Sequence, residues 1–151
     1  MTATREHLHL EDLTVGRTWT TDSHELAVDE MVEFAGRYDP QPFHLDADAA
    51  LGSLFGRLVA SGWHTAAVTM RLLVESGPPV AGGLIGLGGD IAWPRPTLPG
   101  DVLRVVSEVL EARPSRSRPG SGLVTMENRT LNQRDEVVQT FRVTLVVPRR
   151  G

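Results

Sequence analysis

The chain has 151 residues, a formal net charge of −4 and no cysteine, which excludes disulfides, thiolate nucleophiles and zinc–thiolate sites. It also has no lysine, which excludes lysine Schiff bases and P-loops, and its charge provides no basic field for nucleic acid and no polybasic membrane segment. No segment approaches the ~20 apolar residues of a membrane span, and the first residues lack the apolar core of a signal peptide, so we expect a cytoplasmic protein without a nucleic-acid or membrane partner.

The first elements predicted along the chain are a strand and a short helix. Residues 17–28 combine threonine and tryptophan with alternating apolar positions, which favours a strand. Asp29 is a potential N-cap, and the apolar residues after it keep helical spacing until Gly36. Two prolines then prevent the helix from continuing. The segment DPQPFHLD, residues 39–46, therefore begins where this helix ends.

Two further helices are predicted in the middle of the chain. Asp46 can cap a short helical segment, and residues 59–75 form the longest helical candidate. Arg71 is the only Arg, Asp or Glu between Val59 and Val74. A helix with so little charge on any side is typical of a helix that is surrounded by protein.

The second half of the chain predicts four strands. They are rich in β-branched residues, are separated by turn signals and cover residues 84–93, 102–112, 122–131 and 136–147. In the last of them apolar and polar residues alternate, as in a half-buried antiparallel strand. We therefore predict the α+β fold class, an antiparallel β-sheet wrapped around a long central α-helix, in a single domain over residues 1–151. Such a sheet has an edge strand to cover, which predicts a homodimer or a higher homo-oligomer.

Two groups of residues are candidates for chemistry. Asp39 and His44 are joined by a segment whose prolines favour an extended shape, so both side chains can point at one position as a general acid/base pair. The alternative is that Asp39 only turns the chain and His44 is an ordinary loop histidine. Ser61 and Gly62 lie near the start of the long helix, where free N–H groups can bind a polarised carbonyl oxygen. The alternatives are close packing at Gly62 and a capping hydroxyl at Ser61.

The sequence FAGRYDPQPFHLDADAALGSLFGRLVASGWHTA resembles the hydratase motif of the MaoC-like, (R)-specific enoyl-CoA hydratase family, in which D-x-N-P-x-H is followed by F-G-x-x-I-A-H-G. The segment IAWPRPTLPGDVL is similar to the strand and P-G-D turn of that family. The resemblance implies a hot dog fold that binds acyl thioesters of coenzyme A or acyl carrier protein. It also implies that Asp39 and His44 are catalytic and that the N–H of Gly62 forms the oxyanion hole.

The sequence departs from the family motif at two positions. Gln41 stands where the motif has asparagine, and Ser61 stands where a histidine precedes the glycine. Gln41 keeps the amide on a longer arm, so both residues are candidates for orienting the site. His64, two residues beyond Gly62, either lies near the same pocket or packs against the sheet, and we prefer the packing interpretation.

The implied reaction is reversible addition of water to an enoyl thioester, which gives a 3-hydroxyacyl thioester. It needs a base, an acid and stabilisation of an enolate oxygen. Asp39 and His44 are assigned jointly to the water and the proton, and the sequence leaves open which is the acid and which the base. No cofactor is expected apart from the coenzyme A or phosphopantetheine of the substrate. A hot dog thioesterase and a non-catalytic acyl-thioester-binding protein remain as alternatives.

Three other patterns have simpler interpretations. His44, Asp46 and His64 resemble part of a two-histidine, one-carboxylate iron site, but the strand pattern lacks a jelly-roll layout, so we expect no metal. The cluster AGGLIGLGGD lacks dinucleotide-binding spacing and predicts a strand that lies close to the central helix or lines a tunnel. Arg95, between two prolines, is expected on the surface rather than at a coenzyme phosphate.

Overall fold

The computed structural model describes residues 5–151. These residues form a six-stranded sheet and one long helix, with three shorter α-helices and one 3₁₀ turn near the long helix and the sheet. The elements in chain order are a 3₁₀ turn Leu10–Asp12, β1 Thr18–Thr20, β2 His24–Glu25, α1 Val28–Tyr38, α2 Pro42–Leu45, α3 Ala47–Ala50, α4 Gly62–Ser76, β3 Ile85–Ala92, β4 Val102–Pro114, β5 Ser121–Leu131 and β6 Val137–Pro148.

The sheet is antiparallel throughout. Its strand order is β1-β4-β5-β6-β3, and β2 also pairs with β4. Buried and half-buried residues alternate without interruption along β5, because successive side chains of a strand point to opposite faces. The four strands predicted in the second half of the chain are confirmed, with ends that differ by at most two residues. The predicted α+β class is confirmed as well.

The long helix α4 packs on one face of the sheet. Leu72 and other apolar residues of α4 form a buried cluster with Leu103 of β4 and Val138 of β6, and burial of each such side chain contributes about 1.5–3 kcal/mol. The opposite face of α4 is open, since Trp63 is 58% exposed and Val74 is exposed too. The expectation that protein surrounds this helix is therefore wrong for the single chain, because the sheet covers only one side of it.

The strand predicted over residues 17–28 is interrupted. Thr21 lies between β1 and β2, where its N–H donates to the Val105 carbonyl and its Oγ1 accepts from the Val105 N–H, both at 2.9 Å. A side-chain oxygen thus replaces a backbone partner at this point of the sheet edge. The result is two short strands on β4 in place of one continuous strand.

The first helix differs from its prediction at both ends. It begins at Val28 with Ala27 as its N-cap, so Asp29 is not the cap but an acidic residue of the first turn, where it complements the helix dipole. The helix also continues past Gly36 to Tyr38. It ends there because Asp39 precedes a proline, which disfavours helical angles, and Asp39 has φ −153° and ψ 67°.

The connector after α1 is only partly extended. Gln41 has extended backbone angles, but Pro42 is the first residue of α2, a position that proline favours. His44 therefore lies in a single helical turn, and the prediction of an extended connector is wrong at this residue. The predicted cap at Asp46 is confirmed, since its Oδ1 accepts a hydrogen bond from the N–H of Asp48 at 2.9 Å.

The long helix starts three residues later than predicted. The N–H groups of Val59 and Ala60 bond to the carbonyls of Phe43 and Thr97, at 3.1 and 2.9 Å. These bonds hold both residues outside the helix, and Ser61 then becomes its N-cap. The chain segment before α4 is thereby attached to both α2 and the loop after β3.

The glycine cluster begins in the turn before β3, and its last three glycines lie in β3. A Cβ at Gly89 would collide with the carbonyl oxygen of Arg142 in β6. The register of β3 against β6 also shifts between Gly86 and Gly88, where the bulge gives Gly88 a φ of 158°. Gly89 therefore accommodates the neighbouring strand rather than the central helix, and Gly86 lines an apolar cavity together with Met70 and Leu73 of α4. No helix among residues 5–151 is both long and apolar enough to cross a membrane.

Candidate active site

The structure brings the two residues of the predicted acid/base pair together. Nε2 of His44 lies 3.2 Å from Oδ2 of Asp39, and the two side chains are only 7% and 14% exposed. Asp39 ends α1 and His44 belongs to α2. The bend between these helices brings both side chains together, so two groups five residues apart face one position.

The surroundings of His44 decide which ring nitrogen carries the hydrogen. Nδ1 lies 2.7 Å from the carbonyl oxygen of Val59. A carbonyl oxygen only accepts hydrogen bonds, so Nδ1 is the protonated nitrogen. In the neutral ring Nε2 then has a free lone pair directed at the Asp39 carboxylate. Two neighbouring acceptors of this kind are suited to bind one water molecule, which can donate a hydrogen to each.

Asp39 is held by two further side chains. Ser61 Oγ donates to Oδ2, and Gln41 Nε2 donates to Oδ1, each at 2.6 Å. Partial burial alone would raise the pKa of Asp39, but the hydrogen bonds from Ser61 and Gln41 outweigh it and hold the pKa below its usual value. Asp39 is therefore ionised at neutral pH. Both residues that depart from the family motif contact this carboxylate.

Gly62, the first residue of α4, combines an open N–H with a crowded side. Within residues 5–151 its N–H has no hydrogen-bond partner, as is usual in a first helical turn. A Cβ at Gly62 would lie 2.7 Å from the indole ring of Trp93. That ring is held by a hydrogen bond from its Nε1 to Oε1 of Gln139 at 3.0 Å. The close packing considered as an alternative at Gly62 is thus present, and the N–H is free as well.

Asp39, His44 and Gly62 line one cavity of about 430 Å³, a volume typical of small-molecule sites. Most of its other walls are apolar, and these include Phe43, Phe55, Val59, Ala60, Trp63, Trp93, Pro94 and Pro96. Arg95 lies at the exposed edge of the cavity and forms an ion pair with Glu136 at 3.0 Å. Arg95 is therefore on the surface, as expected, but beside the cavity.

His64 lies outside this cavity. Its ring stacks on Phe34 with centroids 4.5 Å apart, and its Nε2 lies 3.5 Å from Glu30, which also bonds to His24. The prediction that His64 packs against the sheet is wrong, because its partners belong mainly to α1. Burial lowers the pKa of His64, although Glu30 opposes the shift.

No iron site is formed by His44, Asp46 and His64. Asp46 caps α3, and His64 faces α1 instead of the cavity. Residues 5–151 contain no group of three or more side chains placed to hold a metal ion.

Four residues at or behind the cavity were not predicted from the sequence. Trp93 packs against Gly62, Gln139 accepts a hydrogen bond from Trp93, and Thr65 and Thr97 line the cavity. Thr65 follows Gly62 by one helical turn, so its spacing was a usable signal. The other three are brought in by distant segments, and no local pattern marks them.

Comparisons with known proteins identify what the chain is similar to. Residues 11–131 match the family model described as "MaoC like domain". A Bacillus subtilis protein, the uncharacterized protein YdeM, is 30% identical over 145 residues, which cover 94% of this chain and all of that one.

Two solved structures extend the comparison to the fold. The MaoC-like dehydratase from Rhodospirillum rubrum is 55% identical, with a TM-score of 0.93 over 95% of this chain and 99% of that chain. The R-hydratase PhaJ1 from Pseudomonas aeruginosa is 28% identical, with a TM-score of 0.77 over 95% of this chain and 88% of that chain. The predicted hot dog fold is thereby confirmed. This chain belongs to the family of MaoC-like domains.

Proposed function

We propose that this protein is a hydratase/dehydratase that adds water reversibly to an enoyl thioester of coenzyme A or acyl carrier protein. The observation that carries the proposal is the contact of His44 with Asp39 in a cavity that also contains the open N–H of Gly62. The likeness to proteins named as a dehydratase and an R-hydratase supports the same reaction class. The product in the hydration direction is a 3-hydroxyacyl thioester.

Gly62 is the proposed binding point for the thioester oxygen. Its N–H lies at the positive end of the α4 dipole, where negative charge is favoured. Negative charge develops on the thioester oxygen when the double bond is attacked and an enolate forms. A hydrogen-bond donor that is already positioned to stabilise this charge increases the rate roughly 10²–10³-fold.

Asp39 and His44 are proposed to hold and activate the water. His44 Nε2 is the stronger candidate for the base, because the lowered pKa of Asp39 makes its carboxylate a weak proton acceptor. In this scheme a water proton passes to Nε2, the hydroxide adds at the β-carbon, and the imidazolium returns a proton to the α-carbon. Asp39 orients the water and stabilises the imidazolium, and each such acid or base contributes about 10²–10⁴-fold.

The substrate's own thiol carrier is the only cofactor that this scheme uses. Every proton transfer is assigned to Asp39, His44 or water, and the oxyanion is assigned to Gly62. The scheme contains no metal ion and no redox step.

We also propose that the functional form is a homodimer, or a larger homo-oligomer, joined through β3. This strand is at the end of the sheet, and Leu87 is 61% exposed on it, with Ile85 exposed nearby. An apolar edge strand of this kind is normally covered. Trp93, at the cavity mouth, directly follows β3, so a second copy on this edge would also lie beside the site.

The proposal is tested with crotonyl-CoA and purified protein. Loss of the enoyl-thioester absorbance without thiol release is the expected result. Thiol release would indicate a thioesterase, and no change with any enoyl thioester would indicate a binding protein, so either result contradicts the proposal.

Substitutions then test the two catalytic residues. Asp39→Asn and His44→Ala should each lower turnover at least about hundredfold, with thermal unfolding near that of the wild type. Asp48→Asn is the matched control, because Asp48 is exposed on α3. Turnover near the wild-type value in either active-site variant would remove that residue from the mechanism.

A further inference from the structure

The inner end of the active-site cavity is polar. Thr65 and Thr97 are among the residues that line the cavity, and they are only 1% and 3% exposed, so they lie at its buried end. Their Oγ1 atoms lie 2.9 Å apart and are hydrogen-bonded. Trp63 and Arg95, in contrast, are more than half exposed at the mouth. A ligand that enters from solvent therefore passes the mouth first and meets the threonine pair last.

A second hydrogen-bonded group follows one helical turn further along α4. Thr69 lies on the same face as Thr65, because residues four apart are neighbours on a helix. Thr69 Oγ1 bonds to Thr130 Oγ1 at 2.6 Å and accepts from Gln139 Nε2 at 3.2 Å. Gln139 also accepts from Trp93. These three residues from α4, β5 and β6 are fully or almost fully buried, so the space between the helix and the sheet is filled there.

Thr69, Thr130 and Gln139 line neither the active-site cavity nor a second, mainly apolar cavity. The second cavity has a volume of about 110 Å³, and its lining includes Met70 and Leu73 of α4 and one polar residue, Asn128. Along α4, Thr69 lies between Thr65 of the first cavity and Leu73 of the second. The two cavities have no lining residue in common. A long apolar chain could pass between α4 and the sheet only by breaking buried hydrogen bonds, which leaves polar groups unpaired and is unfavourable.

We propose that the hydroxyl pair of Thr65 and Thr97, supported by Thr69, Thr130 and Gln139, ends the acyl pocket and restricts the enzyme to short enoyl thioesters. The inference rests on the proposed hydratase function. The thioester oxygen is placed at the Gly62 N–H, and Thr65 is about 4.5 Å further along the helix axis. That distance suits an acyl group of crotonyl or pentenoyl size, with its terminal methyl group against the threonine pair.

The test is a series of trans-2-enoyl-CoA substrates assayed with the wild-type protein. We expect kcat/KM to be highest for crotonyl-CoA and to fall at least tenfold between crotonyl-CoA and octenoyl-CoA. Equal or higher kcat/KM for octenoyl-CoA or decenoyl-CoA would overturn the inference and leave the hydratase function intact. Failure to hydrate any member of the series would instead contradict the hydratase function itself.

Matched double variants test the residues at the pocket end. Thr65→Ala with Thr97→Ala deepens the cavity, and we expect the ratio of kcat/KM for hexenoyl-CoA to that for crotonyl-CoA to rise about tenfold. Thr65→Val with Thr97→Val keeps the volume and removes the hydroxyls, and we expect this ratio to stay within about threefold of the wild type.

An unchanged ratio in a folded alanine variant would overturn the inference. A tenfold rise of this ratio in the valine variant would overturn the inference too. The pocket volume is unchanged in that variant, so the volume would not be what limits the length of the acyl chain. Circular dichroism checks folding, and the wild-type series remains decisive if a variant does not fold.

Discussion

Ser61 Oγ donates a hydrogen bond to Asp39 Oδ2 at 2.6 Å, and so connects the start of α4 to the end of α1. The same oxygen caps α4 by accepting from the N–H of Trp63 at 3.3 Å. Ser61 is completely buried, and the next residue is Gly62. One side chain therefore sets the position of the carboxylate relative to the open N–H of the helix.

Replacement of Ser61 by alanine should change both functions of this hydroxyl. We expect the pKa of Asp39 to rise, because the largest of the contributions that lower it is removed, and loss of the cap should cost about 0.5–2 kcal/mol of stability. A carbon-detected NMR titration of the Asp39 carboxyl and urea unfolding measure the two effects. Ser53→Ala is the control, since the Ser53 hydroxyl donates to the Ala50 carbonyl. An Asp39 pKa that does not move in Ser61→Ala would show that the hydrogen bond does not tune the carboxylate.

Replacement of Gly62 by alanine should displace Trp93. The new Cβ would lie 2.7 Å from the indole ring, and such overpacking costs roughly 1–3 kcal/mol. We expect turnover to fall at least about tenfold, because the N–H proposed to bind the thioester oxygen then lies beside a displaced ring. Gly36→Ala is the matched control. A Cβ at Gly36 meets nothing within 4 Å, and this exposed helical position should gain about 0.5–1 kcal/mol. Wild-type turnover in Gly62→Ala would show that the reaction does not require close approach of the thioester oxygen to the main chain at Gly62.

Replacement of His64 by phenylalanine should reduce the acid sensitivity of the fold. Burial lowers the pKa of His64 in the folded protein, so below about pH 6.5 the unfolded chain binds a proton that the folded chain does not. This contribution to stability is fully present above that pH and is lost as the pH falls. Phenylalanine keeps the stacking on Phe34 and removes the titration.

The free energy of urea unfolding at pH 7.5 and pH 5.5 measures this effect. The loss between the two pH values should be smaller for His64→Phe than for the wild type, because the variant lacks the buried imidazole. His7→Phe serves as the control, because His7 is exposed in the folded protein. An equal loss in wild type and His64→Phe would exclude His64 as a source of acid sensitivity.

Replacement of Leu87 by glutamate should weaken the proposed dimer. The side chain is exposed on β3 of the single chain, and in a dimer paired through β3 the new charge would lie in the interface, where an unpaired buried charge is strongly unfavourable. Sedimentation velocity at micromolar concentration should show a dimer for the wild type and a larger monomer fraction for Leu87→Glu. Val15→Glu is the control, since Val15 is also exposed but does not lie on β3. A wild-type monomer at this concentration would rule out the dimer.

The correctly predicted parts of the fold are those that depend on residues close together in the sequence. Richness in β-branched residues and turn signals located β3 to β6 within two residues, and Asp46 was identified as a cap from its position before a short helix. The pairing of Asp39 with His44 was also accessible, because five residues with two prolines allow few arrangements. Some wrong predictions concern places where a distant partner intervened, such as Thr21 against Val105, whereas the ends of the first helix and the turn at His44 depend on local residues.

The sequence by itself determined most of the elements, the proximity of Asp39 and His44 and the family motif, because periodicity, caps and turns arise from residues close together in the chain. Only the tertiary structure decided what surrounds the pair. Ser61 reaches Asp39 across 22 positions and Thr65 reaches Thr97 across 32, and His64 turned toward α1 instead of the sheet. Contacts at such separations are set by how whole elements pack together, since the packing of α4 against α1 and the sheet determines which side chains meet.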